Sequence, residues 1–98
     1  MIRYYRELTR LEMEQTDRER TIVLIPLGAL EQHGNQAPLG TDGLIADVMP
    51  RYLKEEIEKV DPDFPMLIFP TIPVGQSMEH LNFCGSISFK PDTYYHML

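Results

Sequence analysis

Cysteine is almost absent from this 98-residue chain, which contains Cys84 alone. One cysteine excludes an internal disulfide framework and is typical of proteins from a reducing compartment. Long apolar runs are also missing. The longest, Ile22 to Leu27 and Met66 to Phe69, are far shorter than the roughly 20 residues that a membrane-spanning helix needs. Residues 1–20 are studded with charges, unlike a signal peptide or a transit sequence. These absences predict a cytoplasmic protein.

Basic residues are scarce as well, with 9 Lys and Arg against 15 Asp and Glu, for a net charge of −6. Binding to nucleic acid and to anionic membrane surfaces both depend on basic side chains. We therefore expect neither a nucleic acid nor a membrane among the partners. Apolar residues make up 43% and charged residues 24%, which is ordinary for a soluble globular protein. The length allows one domain, without room for separate substrate and cofactor domains.

The order of hydrophobic patterns predicts an α/β fold. Residues 21–28 are apolar on both faces of the pleat, as in a strand of a parallel sheet that is buried on both sides. Helical spacing follows from Ile45 to Val60, with Pro50 predicting a kink or a restart. Met66 to Phe69 forms a second short strand. Strand, helix and strand in this order make a βαβ unit whose two strands are parallel.

Both ends of the chain carry short helix signals. Thr9 and Glu12 have the spacing of a capping box, which predicts a helix after Thr9. Pro91 opens another short helix near the end of the chain, because proline suits the first position of a helix.

Two long polar loops follow the predicted strands, at residues 31–42 (EQHGNQAPLGTD) and 71–86 (TIPVGQSMEHLNFCGS). Ligands of open parallel sheets bind outside the carboxyl ends of the strands. The topology therefore predicts that most plausible metal ligands of the chain meet at one sheet edge. The candidates in these loops are Glu31, His33, Asp42, Ser77, Glu79 and His80.

Glu31 and His33 are the most specific pair of candidates. They lie two residues apart, so both side chains project to the same side of an extended backbone. Carboxylate and imidazole ligands suit Zn²⁺, Mn²⁺ or Fe²⁺. A Pro/Gly turn brings the chain back at Asp42, and a carboxylate there can bridge two cations. The spacing leaves a second interpretation open, in which Thr41 or Asp42 caps the following helix and Glu31 and His33 are ordinary surface residues.

The complete strings are more specific than any spacing. Residues 26–42, PLGALEQHGNQAPLGTD, resemble the signature E-Q-H-G-x-H-x-P-x-x-T-D of the creatininase (creatinine amidohydrolase) family. Residues 72–88, IPVGQSMEHLNFCGSIS, resemble its second block, P-x-x-x-G-x-S-x-E-H-x-x-F-P-G-T. The resemblance runs from about Leu8 to the end of the chain. It implies a three-layer α/β fold with a parallel sheet, of which residues 1–98 are the N-terminal part, since family members are considerably longer.

By this resemblance, Glu31 binds one divalent metal ion, His33 binds the other, and Asp42 bridges the two. Ser77, Glu79 and His80 are the candidates for substrate binding, although Glu79 and His80 suit a loop-bracing role equally well. A later family motif with a further histidine and glutamate ligand has no counterpart in residues 43–98. We therefore expect a homo-oligomer, or a partner chain that supplies the remaining ligands.

The implied activity is metal-dependent hydrolysis of a small cyclic amide or a related carbonyl substrate through a metal-bound hydroxide. Family relatives also cleave formamides or open cyclic diketo-sugars. The alternative without catalysis is a fragment or subunit that completes a site with a partner chain.

Two positions depart from the family pattern. Gln36 replaces a histidine, which removes a proton-transfer group and leaves the substrate open. Cys84 replaces a proline and is expected to be a half-buried thiol.

Overall fold

The computed structural model describes all 98 residues, which form two compact units. The first unit comprises residues 1–26 and 48–70, and the second comprises residues 27–47 and 71–98. The strands and α-helices, in chain order, are β1 (Ile2–Tyr4), α1 (Arg10–Glu14), β2 (Ile22–Leu24), α2 (Thr41–Val60), β3 (Met66–Ile68) and α3 (Pro91–Met97). Short 3-10 helices span Tyr5–Glu7 and Met78–His80. None of the helices combines the length and apolarity that crossing a membrane requires.

The first unit contains a parallel sheet of three strands in the order β1-β3-β2. Met66 at the start of β3 pairs with Ile2 of β1 on one side and with Ile22 of β2 on the other. The parallel pairing of β2 with β3 confirms the predicted βαβ unit. Strand β1 was not predicted, because its three residues are too few to show a periodic pattern.

The core of the first unit lies around the central strand. Ile2, Met66 and Ile68 are buried together, since β3 has a neighbour on each side. Four partly buried side chains pack against this cluster, namely Tyr4, Leu24, Ile57 and Phe64. Of the apolar stripe read from the sequence in α2, Ile57 packs against this core, and the other members are exposed, namely Ile45, Val48, Tyr52, Leu53 and Val60.

Strand β2 is much more exposed than the sequence predicts. Ile22 is 53% exposed and Val23 is 46% exposed, so the prediction of a strand buried on both sides is wrong for this structure. The reason is its position, since β2 lies at the edge of the sheet and pairs only with β3. Backbone pairing still defines the strand, as Ile22 N–H donates to the carbonyl of Pro65 over 3.0 Å.

The predicted helices are present, with one difference. Thr9 and Glu12 form the capping box at the start of α1, each side chain accepting from the other's backbone N–H. Helix α3 begins at Pro91 as predicted. Helix α2 runs without a restart through Pro50, which is buried in it. The predicted restart is therefore absent, and the kink stays a prediction.

Candidate metal centre

Backbone hydrogen bonds within the second unit hold the segment that carries Glu31. Gly28 N–H donates to the carbonyl of Ile72 over 2.8 Å, and Ile87 N–H donates to the carbonyl of Leu30 over 2.8 Å. Glu31 N–H donates to the carbonyl of Leu39 over 3.1 Å, which closes the first loop on itself. The backbone around Glu31 is thus fixed by both the second loop and the end of the first.

A close glycine contact places the start of α2 beside this segment. A Cβ on Gly28 would lie 2.8 Å from the Cα of Gly43 and 3.3 Å from the carbonyl oxygen of Ile72. Only a residue without a side chain allows this approach. Since Asp42 precedes Gly43, the same contact places the Asp42 backbone beside this segment.

Glu31, His33 and Asp42 converge in the structure. Each offers a ligand atom, and these atoms all lie within 4.8 Å of one another. The three residues are partly buried, so their ligand atoms are neither sealed in a core nor fully hydrated. The E-x-H spacing and the Pro/Gly turn therefore bring these side chains together as predicted, and we call this group the first cluster.

The ring of His33 has its orientation set by the main chain. Its Nδ1 atom lies 3.0 Å from the carbonyl oxygen of Glu31. A carbonyl only accepts, so Nδ1 carries the proton and the Nε2 lone pair of the neutral ring is free. That lone pair faces Oδ2 of Asp42 at 3.5 Å. Two acceptor atoms at this separation repel each other unless a positive charge lies between them.

Neither Thr41 nor Asp42 caps α2. The helix begins at Thr41, so both residues lie inside its first turn. The hydroxyl of Thr41 donates to the carbonyl of Pro38, and the carboxylate of Asp42 faces His33. The competing interpretation of Asp42 as an N-cap therefore does not hold.

A second cluster shares Glu31 and adds Glu79 and His80, again with ligand atoms within 4.8 Å of one another. Nε2 of His80 lies 3.8 Å from Oε2 of Glu31 and 3.9 Å from Oε1 of Glu79. On its other side, Nδ1 of His80 lies 3.0 Å from Nε2 of Gln32. Gln32 was not singled out from the sequence, although it stands between the two ligand candidates Glu31 and His33.

The other sequence candidates lie outside both clusters. Ser77 is fully buried, its N–H donates to Oγ of Ser88 over 2.7 Å, and its own hydroxyl has no partner. Its role in substrate binding stays a prediction.

The two positions that depart from the family motif are both exposed. Gln36 is exposed, and Cys84 is exposed as well, which corrects the expectation of a half-buried thiol. An exposed turn has no packing partner for the thiol.

Comparison with protein families decides the relationship. The creatininase family, described as creatinine amidohydrolase, matches residues 6–98. The chain belongs to the creatininase family. This confirms the resemblance read from the two loop motifs.

Relatives and a solved structure agree with the family. The chain is 39% identical over 69 residues to the mycofactocin precursor peptide peptidase of Mycobacterium tuberculosis (strain ATCC 25618 / H37Rv), covering 67% of this chain and 28% of the relative. It is 40% identical over 70 residues to the Mycobacterium ulcerans (strain Agy99) protein of that name, covering 67% and 27%.

A mutant creatininase has a similar structure, with a TM-score of 0.73 and 26% identity, over 92% of this chain and 35% of that chain. This likeness confirms the predicted α/β fold with a parallel sheet. The chain spans less than a third of the length of the mycobacterial relatives that it matches.

Proposed function

We propose that this creatininase-family chain takes part in metal-dependent hydrolysis, with Glu31, His33 and Asp42 as ligands of divalent cations. One observation carries the proposal. The Nε2 lone pair of His33 and a carboxylate oxygen of Asp42 face each other at 3.5 Å, while the other ring nitrogen of His33 is held by the Glu31 carbonyl. A histidine that binds a metal through one nitrogen commonly donates its other N–H to a carbonyl in this way.

The donor set fits the cation that the family resemblance implies. One imidazole nitrogen and two carboxylates suit Zn²⁺, Mn²⁺ or Fe²⁺, and they lack the thiolates that softer metals select. If two ions bind, Glu31 and His33 would each hold one and Asp42 would be shared between them. Each ion then has at most two protein donors from this chain. Because catalytic zinc usually has three protein ligands, groups beyond these three side chains would complete the coordination.

A divalent cation at this site supplies Lewis acidity that polarises a substrate carbonyl and activates water. The chain's own residues prepare for this. The main chain of Glu31 holds the His33 ring in one orientation, and the first turn of α2 presents Asp42 toward it. The partial exposure of the first cluster leaves a face that a substrate carbonyl can reach.

A groove beside Asp42 supports a small substrate. It has a volume of about 290 Å³ and is lined by Leu27, Gly28, Ala29, Asp42, Ile45 and Ala46. A mostly apolar lining with one charged group at its edge is the usual composition of a small-molecule site. The groove positions an uncharged part of a substrate while its reacting carbonyl lies toward Asp42.

Hydrolysis of an amide bond is the reaction that we propose. The family is described as creatinine amidohydrolase, and the mycobacterial relatives are named peptidases. Both names denote cleavage of a carbon–nitrogen bond at a carbonyl. A small cyclic amide or a peptide amide is therefore the proposed substrate class, ahead of the cyclic diketo-sugars.

The test measures metal binding by the purified chain. Purified chain is titrated with Zn²⁺ and Mn²⁺ as wild type, as His33→Ala and as His96→Ala. His96 is an exposed histidine on α3, so its removal controls for adventitious binding by imidazole. We expect weak binding by the wild type and by His96→Ala, and loss of binding in His33→Ala. Equal affinity of His33→Ala and wild type contradicts the proposal.

A further inference from the structure

We propose that His80 is a positioning residue that orients the Glu31 carboxylate, and that Gln32 sets the tautomer with which it does so. The inference rests on the proposed function only in taking Glu31 as a metal ligand. It concerns the second cluster, whose residue types by themselves also suit a cation of its own.

One hydrogen bond fixes the orientation of the Gln32 amide. Gly34 N–H donates to Oε1 of Gln32 over 2.9 Å, which identifies the oxygen and leaves Nε2 on the other side of the amide. Gly34 adopts a φ of 74°, a left-handed conformation that favours glycine, and this turn brings its N–H back onto the Gln32 side chain. The orientation of the amide is therefore set by the main chain.

The amide in turn sets the tautomer of His80. Nε2 of Gln32 lies 3.0 Å from Nδ1 of His80, and an amide nitrogen only donates. Nδ1 must therefore accept, and the proton of the neutral imidazole resides on Nε2. This arrangement is the reverse of that in His33, whose Nδ1 carries the proton.

The Nε2–H of His80 faces two carboxylates. Oε2 of Glu31 lies at 3.8 Å and Oε1 of Glu79 at 3.9 Å. The Glu31 side chain is 16% exposed, whereas that of Glu79 is 63% exposed, so water competes less for Glu31. A separation of 3.8 Å is too long for a direct hydrogen bond, and a small rotation of the ring would bring the Nε2–H within reach of Oε2.

His80 is therefore not itself a ligand. One ring nitrogen accepts from Gln32 and the other carries a proton, which leaves no lone pair for a cation. Instead, the Nε2–H of His80 attracts Oε2 of Glu31 and so helps to orient the carboxylate. Groups that bind a metal-ligating side chain typically contribute about 10- to 100-fold to metal affinity.

The first experiment reads the tautomer directly in the metal-free chain. Long-range ¹H–¹⁵N correlation spectra distinguish a protonated from an unprotonated ring nitrogen, at a pH well above the ordinary pKa of imidazole. We expect a protonated Nε2 and an unprotonated Nδ1 for His80, and a measurable fraction of protonated Nδ1 in Gln32→Leu. A protonated Nδ1 in the wild type, or spectra unchanged in Gln32→Leu, overturns the inference whether or not the chain binds metal.

The second experiment uses two substitutions that keep different halves of the imidazole. In His80→Gln the amide nitrogen takes the position of Nε2, so donation to Glu31 is retained. In His80→Asn the shorter amide reaches Gln32 but not Glu31. We expect the Zn²⁺ affinity of His80→Asn to fall about 10- to 100-fold and that of His80→Gln to stay close to wild type.

Two controls separate the possible failures. His96→Asn makes the same chemical change at an exposed histidine outside both clusters and should leave Zn²⁺ affinity unchanged. If His80→Asn binds Zn²⁺ as tightly as the wild type, the positioning role is wrong while the metal site stands. If Zn²⁺ removes the proton from Nε2 of His80, that nitrogen is a ligand and the inference is overturned. If the wild type binds no metal, the proposed function fails, and the tautomer spectra still decide the assignment of His80.

Discussion

His33 presents the lone pair of its Nε2 atom to Oδ2 of Asp42 across 3.5 Å. The two residues come from different secondary structures, an irregular loop and the first turn of α2. While Nε2 carries no proton these two acceptors repel each other, and a proton or a metal cation between them would relieve the repulsion. This pairing is the feature of the first cluster that a cation would use, and it leads to the first prediction.

Asp42→Asn should abolish metal binding while leaving the fold intact. The amide can donate to the Nε2 lone pair of His33, which removes the repulsion, but it cannot supply an anionic ligand. Loss of a negative charge from the first turn of α2 costs about 0.3–1 kcal/mol, so the free energy of unfolding should change little. Zn²⁺ titration and urea denaturation check both parts. Asp47→Asn, an exposed position on the same helix, is the matched control and should bind metal as the wild type does.

Gln36→His should change catalysis and not metal content. Gln36 is exposed and lies in neither cluster, but the family usually has histidine there. A histidine adds a group that titrates near neutral pH, so we expect the pH dependence or substrate preference of the complete enzyme to shift. Bound metal and turnover are measured on cyclic amides, formamides, short peptides and cyclic diketo-sugars. Loss of metal as complete as in His33→Ala would show that position 36 contacts the cation.

Gly28→Ala should weaken both the fold and the metal site. The new Cβ would lie 2.8 Å from the Cα of Gly43, and backbone atoms cannot rotate away as a side chain does. Overpacking of this kind costs about 1–3 kcal/mol. Gly43→Ala is the control, because a Cβ there meets nothing within 4 Å and alanine favours a helix by up to about 1 kcal/mol over glycine. Opposite shifts in the urea midpoint are expected, and equal destabilisation of both variants contradicts the close contact.

Ile68→Ala should destabilise the first unit far more than Ile22→Ala. Ile68 is 3% exposed at the centre of the sheet, and truncation of a buried isoleucine costs about 2–5 kcal/mol. Ile22 lies on the edge strand and is more than half exposed, so little apolar surface is lost there. The free energy of unfolding of each variant gives the comparison. Similar losses of unfolding free energy in the two variants would contradict the exposure of β2.

The stability of α1 should depend on acid pH through Glu12. Hydrogen bonds from the backbone N–H of Thr9 and from the side chain of Arg3 lower the pKa of Glu12 below its ordinary value. A lowered pKa means that the contribution to stability is complete above the ordinary pKa and is lost as pH falls through the pKa of the folded state. The effect is small because the group is exposed.

Unfolding midpoints of the wild type and of Glu12→Gln, measured from neutral to acid pH, test this. The two curves should converge at low pH, where both side chains are uncharged. Glu7→Gln removes a carboxylate outside the capping box and controls for the change in net charge. Curves for Glu12→Gln and wild type that stay parallel down to acid pH would exclude the proposed dependence.

Local patterns were sufficient for the elements whose signal lies within a few residues. The capping box at Thr9 and the proline at the start of α3 act through adjacent backbone groups, so their geometry follows directly from the residue types. The pairing of β2 with β3 followed from the strand–helix–strand order, since such crossovers produce parallel strands. The two loop motifs were long enough to indicate the family, which residues 6–98 confirm.

The sequence by itself determined the helices, the parallel sheet, the family, and the convergence of Glu31, His33 and Asp42, because short spacings and strand order constrain these features. The tertiary structure alone decided that β2 is an exposed edge, that Asp42 faces His33 rather than capping α2, and that Gln32 lies against His80. Contacts such as the last, between residues 48 positions apart, depend on how two loops fold against each other. Hydrophobic periodicity does not predict such contacts. The proton positions in His33 and His80 depend on their hydrogen-bond partners, so they follow from the folded chain.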